Sequence, residues 1–328
     1  MQEFAYWQDM PALKKNLEKV QEIILDQIKM ADGDLGEAIR YNFAVAGKEL
    51  RPAFVILFGE MGRKNKGQRI LNIASSVEIL HNATLIHDDI IDESPMRRGR
   101  SSIQAKYGKH IALYAGDYLF ALSLQLLCQN TSKITSLRIN SKAMQEILSG
   151  ETSQFSNEYN LEITTEQYLL QIKGKTAILF AYACYIGAIE GGLPLSLARK
   201  AQKFGELVGS AFQLRDDILD YTSNSDVFKK PVLQDVVNGV YSGPLIFALA
   251  KDKTNELHDL VKVGKDLSAE QLNRIDQLVT ELGGIKQAQS LVEQYTNKAL
   301  AILEENFSQY PASKNLAHIA KSLLERQV

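Results

Sequence analysis

The chain has 328 residues, 45% of them hydrophobic and 23% charged, with a formal net charge of −2 and a pI near 6.3. This is a globular composition, and its near-neutral balance excludes the global basic field of a nucleic-acid binder. Only 7 prolines occur, well below the ~5% of ordinary proteins, so long helices are the first expectation. Met1 to Met10 carries Glu3 and Asp9 and lacks a basic run before an apolar core, so no secretory signal is read there. Leu13, Leu17, Val20 and Ile24 then repeat at helical spacing, with Asp9 as the expected cap before Pro11. Gly47 to Pro52 (Gly-Lys-Glu-Leu-Arg-Pro) follows. Ile70 to Ile91 is apolar on nearly every side, which predicts a buried central helix.

A break at Arg98-Gly99-Arg100 closes that segment. Ile178 to Ile189 is a second helix apolar all round, ended by Gly191-Gly192-Leu193-Pro194. Its core, Leu179 to Ile189, is the longest apolar stretch and falls short of the ~20 residues that span a bilayer. Further breaks fall at Lys230-Pro231 and Gly243-Pro244, and Ile285 to Ile302 is helical in period after Gly283-Gly284. No alternation long enough for a sheet appears. The expected architecture is all-α: one large helical bundle over residues 1–328, with two buried helices at its middle. Cys128 and Cys184 have apolar neighbours and read as two buried thiols in a reducing, cytoplasmic setting.

Carboxylates interrupt the apolar pattern twice. The first central helix ends in His87-Asp88-Asp89-Ile90-Ile91-Asp92, and Asp88 and Asp92 project from one face, one turn apart. Leu207 to Leu214 leads into Asp216-Asp217-Ile218-Leu219-Asp220, which repeats that geometry. Buried carboxylates are costly unless paired or metal-bound. Two facing clusters of hard oxygen donors suit Mg²⁺, with substrate phosphates completing its shell, and do not suit zinc. An anionic substrate also calls for cations, and each cluster is followed by some: Arg97, Arg98 and Arg100 after the first, Lys229 and Lys230 after the second. Lys48, Arg51, Lys173 and Lys175 add to these.

His81 to Ser101, Phe212-Gln213 before the second aspartate cluster, and Gly47 to Pro52 resemble the trans-isoprenyl diphosphate synthases, or polyprenyl synthetases, from about residue 40 to 250. The resemblance implies an all-α fold around a central cavity, three Mg²⁺ per active site, and a prenyltransferase joining isopentenyl diphosphate head-to-tail to an allylic diphosphate, farnesyl or geranylgeranyl. It implies that Asp88, Asp92 and Asp216 hold the metal, with Asp89, Asp217 and Asp220 ligating or supporting. Arg97, Lys175, Thr176, Gln213 and Lys230 would contact the allylic diphosphate, with Lys175 catalytic. Lys48, Arg51, His81 and Arg98 would hold isopentenyl diphosphate, and the released diphosphate can itself take the proton that ends each cycle. Gly150-Glu151 with Gln154 matches a family helix motif. Two positions depart from the family pattern: Val240 stands where a lysine is common, and Lys229 replaces a usual glycine.

One helical turn advances about 5.4 Å, close to one isoprene unit. Ala83 and Thr84, one turn before Asp88, would therefore meet the growing chain first, with Leu80, Val77 and Ser76 below. None is aromatic, so a medium-to-long product of roughly six or more units is expected, such as the side-chain precursor of a respiratory quinone. Farnesyl or geranylgeranyl diphosphate is the shorter alternative. The family's habits point to a homodimer, or to a heterodimer with a small accessory subunit, with transient membrane contact for product release. Other classes fit less well. Glu78-Ile79-Leu80-His81 has the form of a di-iron ligand pair, but no second ExxH exists. A non-catalytic diphosphate-binding subunit would not need both aspartate clusters intact.

Overall fold

A computed structural model describes residues 7–45, 47–62, 67–131, 133–222 and 233–324. Helices dominate throughout, as the proline scarcity predicts: α1 (Pro11–Gln27), α2 (Gly33–Phe43), α3 (Leu50–Glu60), α4 (Gly67–Ile91), α5 (Ile103–Tyr107), α6 (Lys109–Asn130), α7 (Ile134–Ser156), α8 (Thr165–Ile172), α9 (Ile178–Gly191) and α10 (Leu195–Thr222). Shorter helices and the long Gly284–Phe307 and Ala312–Leu324 helices complete the chain. The only sheet among the described residues is a two-stranded hairpin, β1 (Met96–Arg97) with β2 (Arg100–Ser101), which the sequence pattern was too short to reveal. Pro11 occupies the first turn of α1 as expected, but Met10 rather than Asp9 is the N-cap, and no side chain caps it.

The chain forms two compact units. The first comprises residues 1–140, 182–201 and 310–315. Its axis is α4, buried along most of its length and packed on by α1, α3 and α6. Small residues bring these helices close: Ser123 donates to the Ser76 carbonyl at 2.8 Å, and Ser75 to the Val20 carbonyl at 3.3 Å. At the far end of α4 from the aspartates, fully buried Glu190 accepts from Arg69 at 2.7 Å and from the hydroxyls of Thr131 and Ser136. A buried carboxylate needs partners of this kind.

The second unit comprises residues 141–181, 202–309 and 316–328. Its core gathers Tyr168, Leu214, Ile218, Tyr221 and Phe247 around the buried helix Gly243–Leu249. Capping boxes open α8 (Thr164 with Gln167) and the helix Ala269–Glu281 (Ser268 with Gln271), each satisfying two otherwise unpaired N–H groups.

Two expectations need correction. Cys184 is buried, but Cys128 is exposed, because it falls on the outward side of the last turns of α6. Two helical stretches are also long and apolar enough, by length and composition, to cross a membrane. They are Lys109–Asn130 and Thr165–Gly191, the latter because α8, a π-helical segment and α9 run on without a break. The most apolar window of the second is 72% buried, as in the core helix of a folded protein; that of the first is only 44% buried.

Candidate active site

The first aspartate cluster stands where α4 stops. Asp92 N–H still bonds the Asp88 carbonyl at 2.8 Å, and Ser94 N–H reaches back to the Asp89 carbonyl at 2.9 Å. Glu93 takes a left-handed φ of 49° between them, so the helix ends in a Schellman-like turn. Asp88 and Asp92 thus lie on successive turns as the spacing predicts. Asp89 points elsewhere: it is buried and gripped by Arg97, whose Nε and Nη2 donate to one oxygen at 2.9 and 2.5 Å. Burial raises the Asp89 pKa, and Arg97 opposes that rise.

The basic run after this cluster is the hairpin. Arg98 and Gly99 both have positive φ, 51° and 74°, the signature of a two-residue type I′ turn. Arg98 Nη1 donates to the Val45 carbonyl at 3.0 Å, and its guanidinium lies against Gly47, where a Cβ would come within 2.7 Å of Nη2. The glycine of the Gly-Lys-Glu-Leu-Arg segment therefore makes room for Arg98. Trp7 Nε1 donates to the Lys48 carbonyl at 2.9 Å and pins the same loop. Arg51 Nη1 approaches His81 Nε2 at 3.0 Å, and burial with the nearby arginines pushes the His81 pKa well below 6.5. Lys48, Arg51, His81 and Arg98 thus lie on one loop, two helices and the hairpin of the first unit.

Sequence reasoning gave Glu49 no role and weighed Glu78 only as a di-iron ligand, yet both carboxyls are buried beside these cations. Glu49, at the N-terminus of α3 with a left-handed φ of 53°, is buried with Oε2 unpartnered. Glu78, on α4, is buried too, and accepts from Asn82 at 3.0 Å. Burial first, and each other's charge next for Glu49, raise their pKa values, well above 4.5 in the case of Glu49. Glu78 and His81 are thus engaged with Asn82 and Arg51, which gives the di-iron reading no support.

The second cluster lies in the other unit. Lys173–Ala177 is a π-helical turn between α8 and α9 carrying Lys175 and Thr176. Single π turns recur at functional sites because the extra residue re-aims side chains. Lys175 pairs with Glu151 of α7 at 3.3 Å, and close approach at Gly150, where a Cβ would lie 2.8 Å from Gly174 and Lys175 backbone atoms, permits it. Thr176 donates its hydroxyl to Gln213 Oε1 at 2.6 Å, and Gln213 Nε2 donates to Asp217 at 2.8 Å. The other Asp217 oxygen accepts from Tyr168 at 2.5 Å and from Gly243 N–H at 3.1 Å. Asp217 is therefore enclosed by protein donors, in keeping with a supporting rather than a ligating role. Asp216 is half-buried and Asp220 exposed on the same helix, four residues apart. Phe212 packs on Phe180 with ring centroids 5.7 Å apart. Lys229 and Lys230, and the side chain of Gln154, lie outside the described residues. Val240 follows Gly239, whose φ of 77° leaves its Cα against the Tyr159 ring.

Among the described residues, no three His, Cys, Asp or Glu side chains are gathered closely enough to hold a metal ion by themselves. Each cluster by itself suits magnesium, since Asp88 with Asp92 in the first unit and Asp216 with Asp220 in the second are pairs of hard oxygen donors one helical turn apart, and a substrate phosphate is the usual complement to so few carboxylates.

With this geometry in view, comparison with known proteins is decisive. The Polyprenyl synthetase family pattern matches residues 33–282. Heptaprenyl diphosphate synthase component 2 of Geobacillus stearothermophilus is 32% identical over 89% of this chain and 90% of its own. Among solved structures, geranylgeranyl pyrophosphate synthase from Lactobacillus brevis ATCC 367 superposes with a TM-score of 0.91 at 34% identity, covering 98% and 99% of the two chains. Heptaprenyl diphosphate synthase from Staphylococcus aureus gives 0.90 at 28% identity, covering 96% and 99%. The fold and its motifs define a helical prenyltransferase. The chain belongs to the polyprenyl synthetase family.

Proposed function

We propose that the chain is a magnesium-dependent all-trans polyprenyl diphosphate synthase that extends farnesyl or geranylgeranyl diphosphate with isopentenyl diphosphate to a medium or long product. The observation that carries this reading is the repetition of one arrangement in each unit: two aspartates one helical turn apart, beside a third carboxylate already held by the protein. A product serving as the side-chain precursor of a quinone is the role such a chain length suits.

Scission of the allylic C–O bond leaves diphosphate and a carbocation, so catalysis must stabilise growing negative charge. Asp88 and Asp92 in the first unit, and Asp216 and Asp220 in the second, would hold magnesium, which would supply that neutralisation. Arg97, Lys175 and Gln213 add fixed donors to the allylic diphosphate, and Lys230 a further charge. Lys48, Arg51, His81 and Arg98 receive the isopentenyl diphosphate. His81, kept neutral beside Arg51, offers a hydrogen bond without competing as a cation. Phe212, partly exposed and backed by the fully buried Phe180, gives an aromatic face that shelters a carbocation from water. No side chain is needed as general base, because the departing diphosphate can accept the proton lost when the new double bond forms.

Incubation of the purified chain with Mg²⁺, farnesyl diphosphate and labelled isopentenyl diphosphate, followed by chromatography of the dephosphorylated products, tests the reading. Products of about six or more isoprene units are expected. Geranylgeranyl or farnesyl diphosphate as sole final product would remove the long-chain reading. Activity should vanish with chelator and return with Mg²⁺.

A second reading concerns assembly. The Geobacillus relative is named as one component of a synthase, and α6 leaves Leu113, Tyr114 and Leu124 exposed at helical spacing. A protein partner on that face, a second copy or a small accessory subunit, suits these exposed apolar residues, which surround the exposed Asp117. Sedimentation and activity of the chain alone distinguish these, since an active dimer favours the second copy and an inactive monomer the accessory subunit.

A further inference from the structure

The hydrogen-bond chain around Asp217 has a direction. Gly243 N–H can only donate, and an ionised carboxylate can only accept. Gly243 N–H and the Tyr168 hydroxyl both reach Asp217 Oδ2, at 3.1 and 2.5 Å. Asp217 Oδ1 must then receive an N–H from Gln213, which it does at 2.8 Å. That orientation turns Gln213 Oε1 toward Thr176, whose hydroxyl donates to it at 2.6 Å. The Thr176 oxygen is left with lone pairs only, and Gln213 with one remaining N–H.

The buried end of the chain is closely built. Tyr168 and Asp217 are both buried, at 2% and 7% exposure. A Cβ on Gly243 would stand 2.7 Å from the Tyr168 hydroxyl oxygen. Glycine at this position therefore lets the phenol and the backbone N–H share one carboxylate oxygen, which explains the break at Gly243-Pro244. Tyr168 lies seven residues before Lys175, too deep to meet a substrate itself, and its ring packs edge-on against Phe247 at 5.8 Å.

We propose that Tyr168 and Gly243 are positioning residues that, by holding Asp217 as acceptor, set the polarity of the Asp217–Gln213–Thr176 chain, so that Gln213 presents its remaining N–H to the allylic diphosphate while Thr176, its proton spent on Gln213, offers lone pairs only to a cationic group. This rests on the prenyl-transfer reading above for the identity of the ligand. Asp217→Asn inverts the chain: its amide N–H would donate to Gln213 Oε1, Gln213 would donate to Thr176, and the Thr176 hydroxyl would turn outward.

The test is a double-mutant cycle between Tyr168 and Gln213, which share no hydrogen bond, on two readouts: kinetics with each diphosphate substrate, and affinity for inorganic diphosphate with Mg²⁺ by calorimetry. Tyr168→Phe should lower kcat and weaken allylic and inorganic diphosphate about tenfold, with the isopentenyl diphosphate KM changed less than twofold. In a Gln213→Leu background, where the presented donor is gone, the same change should cost less than about twofold. Gly243→Ala, which displaces the phenol and alters no side-chain donor, should reproduce the Tyr168→Phe pattern. Multiplicative effects in the cycle, or equal losses for both substrates, overturn the proposal. If the wild-type chain transfers no prenyl group, the functional reading falls by itself, and the calorimetric cycle still decides whether the polarity chain exists.

Discussion

Arg97 and Asp89 form a forked ion pair that ties the basic hairpin to the last turn of α4, with Nη2 2.5 Å and Nε 2.9 Å from one carboxylate oxygen. The Asp89 side chain is 6% exposed and that of Arg97 35%. Asp89 therefore cannot swing to a metal without abandoning Arg97. The pair instead sets where the arginine stands relative to Asp88 and Asp92.

Replacing Arg97 by Gln is expected to raise the allylic diphosphate KM about tenfold, the cost of one charge-assisted phosphate contact. Stability should fall by only about 1 kcal/mol, since a third of the arginine is in water and screened. Arg97→Lys keeps the charge but not the fork, so it should lose comparable stability with a smaller rise in KM. Steady-state kinetics with each substrate varied, together with thermal melts, read both. An unchanged allylic KM in Arg97→Gln would remove this residue from the site.

Product length is expected to respond at Ala83. The residue is fully buried on α4, five residues before Asp88, and Thr84 beside it shares the Asp88 face with its hydroxyl bonded to the His81 carbonyl at 2.8 Å. Below them Leu80 and Val77 are also fully buried. Ala83→Tyr should shorten the final product by two or more isoprene units, at a rise of about 5.4 Å per helical turn. Because overpacking costs about 1–3 kcal/mol, the melting temperature must be read on the same sample. A folded variant with the wild-type product distribution would show that the chain does not run along this helix.

Much of this was legible in the sequence, for reasons that differ by residue. Asp88 and Asp92, or Asp216 and Asp220, need only helical periodicity to be placed on one face, and α4 is apolar enough to be recognised as central. Arg98-Gly99 reads as a break, and the break is a type I′ turn. The π turn at Lys173–Ala177 could not be read, because one extra residue per turn leaves no local composition signal. Glu49 was hidden by its neighbours, since its motif draws attention to Lys48 and Arg51, and Glu78 was legible only as part of an ExxH pattern, not as a buried carboxyl beside Arg51 and Arg98. Tyr168 lies forty-nine residues from Asp217, and no spacing rule connects them. Cys128 misled because apolar neighbours in sequence lie on every side of a helix, whereas its own side points outward.

Val240 offers a gain of function. It stands where the family commonly has a lysine, is half-buried, and its N–H bonds the Asp235 carbonyl at 2.8 Å, so the backbone is already held. Val240→Lys should lower the allylic diphosphate KM by about three- to tenfold, the worth of one added charged contact, and leave kcat little changed. Initial rates over a range of allylic primer decide this. No change would mean that another cation already fills the position.

Stability should depend on pH through two opposing sets of buried groups beside Arg51 and Arg98. Glu49 and Glu78 have folded pKa values raised above 4.5, mainly by burial, so the folded chain binds protons there that the unfolded chain has released. Their contribution therefore turns unfavourable as pH rises from 4.5 through the folded values. His81 works the other way: its folded pKa lies well below 6.5, so stability is lost as pH falls below 6.5 and the unfolded chain takes up a proton that the folded one refuses. Between pH 4.5 and 6.5 the two partly cancel. Glu49→Gln keeps an acceptor for the Gly47 N–H and removes the charge, so it should raise the melting temperature at pH 8 more than at pH 5 and expose the acid sensitivity that His81 imposes. His81→Asn in the same background should then flatten the profile. Melts of the three proteins from pH 5 to 8 measure this, and a Glu49→Gln effect independent of pH would show that the carboxyl is already protonated across the whole range.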